Sequence, residues 1–285
     1  VGRPGGQAVG RSVRPSARLP VCPSVGPSPR PPMIRFTEVH KAFGSKVVLE
    51  GMTLDIPEGQ TTVIIGFSGT GKSVALKHIV GLLQPDSGTV EVDGQIVSEL
   101  EPAALSALRG EIGYVFQFAA LFDSMTVADN LRLGLTRRGL DPETISQRIR
   151  ESLALVNLPG AEERFPAELS GGMRKRVGIA RAIALRPRYI LYDEPTTGLD
   201  PVTSAVIDEL MVRARKELGV TGVVVTHDMR SATTVGDRIA MLHQGRIRQV
   251  GTIEEIRATD DPVVRNFIEG RPVDADRFVP LGPAA

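Results

Sequence analysis

From Met33 onward the apolar residues follow two alternating rhythms. Residues 34–39 (IRFTEV) and 46–56 (KVVLEGMTLDI) alternate apolar and polar positions, which predicts two strands of an antiparallel edge sheet. Residues 61–66 (TTVIIG) read as a short buried strand, and a glycine loop and a helix over 72–80 are predicted behind it. Residues 89–97 read as a hairpin turning on Asp93-Gly94, and 111–116 (EIGYVF) as another strand. The rhythm becomes helical across about 118–185, in TVADNLRLGL, in PETISQRIRESLALVNL and in the run after Ser170. Strands return at 189–194 (YILYDE) and 222–227 (GVVVTH), with helices over 201–218 and 229–235, and a hairpin over 238–250 follows. Strands alternating with helices predict an α/β domain on a parallel sheet, with the helical block as an insertion. No internal repeat is visible.

Residues 1–32 break this pattern. They hold five arginines, eight prolines and no acidic residue, without periodicity, and are expected to form a disordered tail. Two origins fit: a segment translated ahead of Met33, or an arginine-rich targeting peptide. The prolines count against the second, because they oppose an amphipathic helix. Residues 33–270 read as the folded domain and 271–285 as a C-terminal tail. Outside the first 32 residues, 29 of the 34 basic side chains face all 33 acidic ones, a net of −4. A mildly acidic domain is a poor general binder of nucleic acid. Cys22 is the only cysteine, so neither an internal disulfide nor a cysteine zinc cluster can form, and a reducing compartment fits. No window approaches ~18 consecutive apolar residues, so no bilayer-spanning helix is predicted. The N-terminus lacks the apolar core of a secretory signal.

Three stretches carry chemistry. The first, Gly66-Phe67-Ser68-Gly69-Thr70-Gly71-Lys72-Ser73, has the spacing of a phosphate-binding loop and lies between a predicted strand and a predicted helix. Its backbone N–H groups would wrap phosphates, Lys72 would reach the β- and γ-phosphates, and Ser73 would ligate Mg²⁺. The second, 189–194, is an apolar strand ending in two acids. Asp193 would hold Mg²⁺, and Glu194, one residue on, could polarise an attacking water. The third, ELSGGMRKRV (168–177), reads as a helix start with Ser170 at the cap. Gly171 and Gly172 follow it, although glycine costs about 1 kcal/mol against alanine in a helix. Such a pair suggests backbone that something must approach closely, and a helix N-terminus suits an anion.

Together these stretches resemble the ATP-binding-cassette (ABC) ATPases over roughly residues 33–270. The resemblance implies a P-loop NTPase cassette: a RecA-like parallel sheet core, an antiparallel β edge subdomain and an inserted helical subdomain at about 118–185. It makes Gly66–Ser73 the Walker A motif, 189–194 the Walker B motif and LSGGM the family signature. It further implies that Phe43 stacks on adenine and that Gln117 senses Mg²⁺ and the γ-phosphate. Asp200, in Gly198-Leu199-Asp200, matches the D-loop, and His227 matches the switch histidine. It implies ATP and Mg²⁺ as cofactors, and a second copy of the chain as partner. In such a head-to-tail pair, Ser170, Gly171 and Gly172 of one copy cover the nucleotide held by the other. One nucleotide pocket per chain and two phosphate cradles per chain then agree. His40, His78 and His243 match no motif and read as structural or surface residues.

Three positions depart from the commonest family pattern: Met173 stands where glutamine is usual, Val74 where threonine is common, and Phe67 where proline often sits. GTGKSV, QFAALFDSMTV, LSGGMRKRV and LYDEPTTGLDP together resemble the ATPases of Mla/Mce-type lipid transporters. That resemblance implies a motor working with an integral membrane permease and an Mce-domain lipid-binding protein. It would sit on the cytoplasmic face of the inner or plasma membrane, peripheral through the permease. The alternatives are the ATPase of another ABC importer or exporter, or a non-transport ABC ATPase. Against the last, Lys72 and Asp193 lie only 121 residues apart with no sustained heptads between them, zinc cysteines are absent, and one Walker A is present rather than two. A GTPase would need an N-K-x-D motif, which the chain lacks.

Overall fold

The computed structural model describes residues 1–2 and 32–271. The expectations for the N-terminal tail and for the C-terminal tail fall almost wholly on residues outside these. In chain order the strands are β1 (Pro32–Phe43), β2 (Lys46–Pro57), β3 (Thr61–Ile65), β4 (Ser87–Val92), β5 (Gln95–Ile96), β6 (Ile112–Val115), β7 (Tyr189–Asp193), β8 (Thr221–Thr226), β9 (Arg238–His243) and β10 (Arg246–Thr252). The helices are α1 (Lys72–Ile79), α2 (Pro102–Gly110), α3 (Val127–Thr136), α4 (Pro142–Leu155), α5 (Gly171–Ala184), α6 (Pro201–Leu218), α7 (Met229–Val235), α8 (Ile253–Arg257) and α9 (Pro262–Ile268).

The strands form two sheets. One is antiparallel and four-stranded, in the order β2-β1-β4-β5. The other is six-stranded, β10-β9-β3-β8-β7-β6, with every pair parallel except the edge pair β10–β9. The unbroken apolar runs have a direct cause: side chains of the central strands alternate between two cores. Val63, Ile65, Ile190, Tyr192 and Val224 point into a core shared with α3–α6. Ile64, Tyr189, Leu191, Val223 and Val225 point the other way, into a core shared with α1 and the antiparallel sheet. Both faces are dry, so no polar alternation is needed. Helices α3, α4 and α5 enter the chain between β6 and β7.

Three helices are absent from the hydrophobic pattern: α2, α8 and α9. They are short, so periodicity has too few turns to register. Their starts are nevertheless written in the sequence. Pro102 and Pro262 occupy first-turn positions, Asp261 caps α9, and Thr252 with Glu255 forms a capping box for α8.

Candidate active site

The carboxyl ends of four neighbouring parallel strands, β3, β8, β7 and β6, converge on one cleft, the usual ligand position of an open α/β sheet. The glycine-rich loop leaves β3 and enters α1. Gly71 stands at the cap with φ 99°, where a Cβ would lie 2.7 Å from the Val48 side chain, so the turn requires glycine. The first turn of α1 presents free N–H groups and the positive end of its dipole to the loop. Lys72 is buried and folds back over the loop. Its Nζ donates to Gly66 O at 2.8 Å and to Phe67 O at 3.0 Å, and lies 3.5 Å from Glu194 Oε1. Burial pulls the Lys72 pKa below the ordinary lysine value, and Glu194 opposes that shift.

Ser73 Oγ donates to Asp193 Oδ1 at 2.5 Å, and the Tyr114 hydroxyl donates to Asp193 Oδ2 at 3.0 Å. Burial, reinforced by Asp193, raises the Tyr114 pKa well above the usual phenol range, so Tyr114 remains a donor. The Ser73 and Asp193 oxygens and the Gln117 amide are hard donors of the kind Mg²⁺ takes alongside phosphate oxygens. Among the described residues no group of three or more His, Cys, Asp or Glu side chains gathers to hold a metal by itself. Phe67, the departure in the loop, packs its ring edge-on against Phe267 of α9, centroids 5.0 Å apart at 84°.

Glu194 follows β7 in the left-handed region, φ 48°, with its N–H donating to Val225 O at 3.0 Å. Its carboxylate Oε2 accepts the Thr197 hydroxyl at 3.0 Å and lies 2.8 Å from His227 Nδ1. The cleft encloses about 510 Å³ and brings together Ser68, Gly69, Gly71, Lys72, Ser73, Gln117, Glu194 and His227. Phe43 lies on the same wall with Lys46 and Val48, its ring half-exposed and available as a stacking face.

Of the candidates, Gly66, Phe67, Thr70 and Asp193 do not line this cavity but belong to the glycine loop and the β7 end that build it, whereas Ser170, Gly171, Gly172 and Asp200 stand apart at the starts of α5 and α6. Ser170 is exposed and caps α5 by accepting the Met173 N–H at 3.3 Å. Only one of the two glycines faces open space. A Cβ at Gly171 would meet nothing within 4 Å, whereas one at Gly172 would lie 2.5 Å from the Thr203 methyl of α6. Gly172 therefore has a packing reason within its own chain. Asp200 caps α6, its Oδ1 accepting from Val202 N and Thr203 N at 3.0 Å each.

Sequence reasoning missed Tyr114, whose partner Asp193 lies on another strand, and Thr197, whose hydroxyl reaches back three residues to Glu194. It also missed Asn130, which is fully buried on α3. Its Oδ1 accepts the Phe122 N–H at 2.8 Å, and its Nδ2 reaches the carbonyls of Phe122, Met125 and Thr126 at 2.9–3.2 Å. One amide thus holds the whole turn before α3. Asn130→Ala should lower unfolding stability by about 2–3 kcal/mol, because it strands buried backbone groups. Urea melts should show a lower midpoint at unchanged slope, with ATP affinity retained.

Comparison with known proteins accounts for this geometry. Residues 49–197 match the ABC transporter family. The chain is 41% identical over 263 residues to a probable ribonucleotide transport ATP-binding protein, mkl, of Mycobacterium leprae, covering 91% of this chain and 74% of the relative. Among solved structures it is similar to cbiO1 from Clostridium perfringens, part of the ABC transporter complex cbiONQ. There the TM-score is 0.75 with 29% identity, over 80% of this chain and 92% of that one. It is also similar to the cassette MJ0796, a dimeric post-hydrolysis state bound to ADP and Pi. That match has a TM-score of 0.71 and 34% identity, over 78% of this chain and 99% of that one. In sequence and in fold, the chain belongs to the ABC transporter family as an ATP-binding subunit that hydrolyses ATP.

Proposed function

We propose that this ATPase is the motor of a lipid transporter, working as a head-to-tail pair of copies beneath an integral membrane permease. Each cleft holds one ATP. Phe43 stacks on the base, the Gly66–Ser73 backbone and Lys72 grip the phosphates, and Ser73, Asp193 and Gln117 hold Mg²⁺. The metal, when bound, neutralises charge on the phosphate oxygens. Glu194 accepts the proton of the attacking water and His227 fixes the Glu194 carboxylate. The partner copy's Ser170–Gly172 segment closes the site from the far side, which fits its exposure and its separation from the cleft of its own chain. Asp200 lies beside that closing surface as well as capping α6.

The observation that carries the coupling role is a second, apolar groove beside Gln117. It encloses about 500 Å³ and is lined by Tyr114, Phe116, Phe122, Met125, Leu133 and Leu185. Phe122 is 55% exposed and the neighbouring Phe118 84%. Aromatic surface of that kind, unclaimed by the chain's own core, suits a short apolar helix of a membrane partner. Among the described residues no helix is long and apolar enough to cross a membrane. The permease would hold the motor at the cytoplasmic face.

The lipid cargo and the Mce-domain partner rest on the resemblance of four motifs to Mla/Mce-type ATPases. The name of the Mycobacterium leprae relative favours a second cargo, ribonucleotides. A vesicle assay separates them: the assembled transporter should move labelled phospholipid between vesicles only with ATP, and transfer of labelled nucleotide instead would favour the second reading.

Phe122→Asp tests the groove. The turn is held through the Phe122 backbone and Asn130 rather than through the ring, so the variant should fold and melt as the wild type does. It should bind ATP, fail to co-purify with the permease and fail to support transfer. Normal permease binding by the folded variant would remove this groove from the coupling path.

A further inference from the structure

Glu194 has an unusual neighbour that the chemistry above leaves unused. Lys175, on the second turn of α5, is only 7% exposed. Its ammonium lies 3.4 Å from the main-chain oxygen of Glu194. Burying an ammonium is unfavourable unless a partner compensates, and burial pulls the Lys175 pKa down while Glu194 opposes it. An apolar side chain of the same length would fill this space without that cost.

The partner is the residue whose backbone most needs holding. Glu194 is a non-glycine residue at φ 48°, a strained conformation that persists where surroundings fix it. Its N–H is tied to β8 through Val225 O, and its carbonyl accepts the Thr197 N–H at 3.3 Å. Lys175 adds a third tie, and it comes from α5, the helix that begins at Ser170. A peptide plane turned at this point would swing the Glu194 carboxylate away from Thr197 and His227.

We infer that Lys175 is a positioning residue for ATP hydrolysis, holding the main chain of Glu194 so that its carboxylate faces the attacking water. This rests on the reading of Glu194 as the base. Displacement of a reacting group by about 1 Å costs up to about 100-fold in rate, so the effect belongs in kcat.

The test uses Lys175→Met, which keeps the length and removes the donor, and Lys175→Gln, which keeps a donor one atom shorter. Lys175→Met should lower kcat about 10- to 100-fold, with KM for ATP unchanged and the melting temperature at or above its wild-type value. Lys175→Gln should recover part of that rate. In a Glu194→Gln background, Lys175→Met should cost nothing further, because both changes act through one group. Wild-type kcat in Lys175→Met overturns the inference. So does a loss of kcat that tracks a lowered melting temperature without recovery in Lys175→Gln, since that describes packing. So does a full additional loss in the double variant. Near wild-type turnover in Glu194→Gln alone would instead overturn the reading of Glu194 as base, whatever Lys175→Met does.

Discussion

Glu194→Gln is expected to bind ATP as tightly as the wild type and to hydrolyse it about 10²–10⁴ times more slowly, the usual weight of a general base. The amide keeps the shape of the carboxylate and can still accept the Thr197 hydroxyl, which lies 3.0 Å from Oε2. It cannot take a proton. Lys72 would lose the charge it faces across 3.5 Å, but its bonds to Gly66 O and Phe67 O remain. The loop should therefore keep its form, and the loss should fall on kcat alone. Single-turnover phosphate release, beside a binding isotherm with ATP, separates the two. Hydrolysis near the wild-type rate would end the assignment of Glu194 as base.

Ser170→Arg should abolish hydrolysis while leaving the ATP affinity of a single copy nearly intact. Ser170 is exposed and touches nothing in its own cleft, so the only local cost is its cap, about 1 kcal/mol. The long cation would instead occupy the space into which the partner's nucleotide must fit. Lys72→Ala should behave oppositely and weaken binding itself, since it removes the cradle's only lysine. Mixing the two variants should restore part of the activity once subunit exchange is verified, because one of the two sites in a mixed pair carries neither lesion. Normal hydrolysis by Ser170→Arg would show that the start of α5 does not meet nucleotide.

Much of this was legible along the chain because the informative signals are local. A glycine loop between a strand and a helix, an apolar strand ending in two acids, and a capped helix start each declare themselves within about ten residues. The central strands were equally plain, since Val63–Ile65 and Val223–Val225 are buried on both faces and carry no polar alternation. The unreadable parts depend on pairs distant in sequence. Tyr114 meets Asp193 only because β6 and β7 lie side by side, and Lys175 meets Glu194 only because α5 packs against that strand end. Gly172 illustrates the converse. The glycine pair suggested a ligand approaching both residues, yet the Thr203 methyl accounts for one of them. Phe67 could be noticed as a departure, but its partner Phe267 sits on α9, a helix of two turns that periodicity cannot register.

The proposed function requires that ATP be shared between two copies, with the cleft from one and the Ser170–Gly172 segment from the other. Sedimentation of Glu194→Gln tests it most directly, because slow turnover preserves the bound nucleotide. With saturating ATP the variant should sediment as two copies, with ADP as one, and the double variant Glu194→Gln/Ser170→Arg should stay single while still binding ATP. A single-copy species with ATP bound to Glu194→Gln, or a pair that survives Ser170→Arg, would contradict the account.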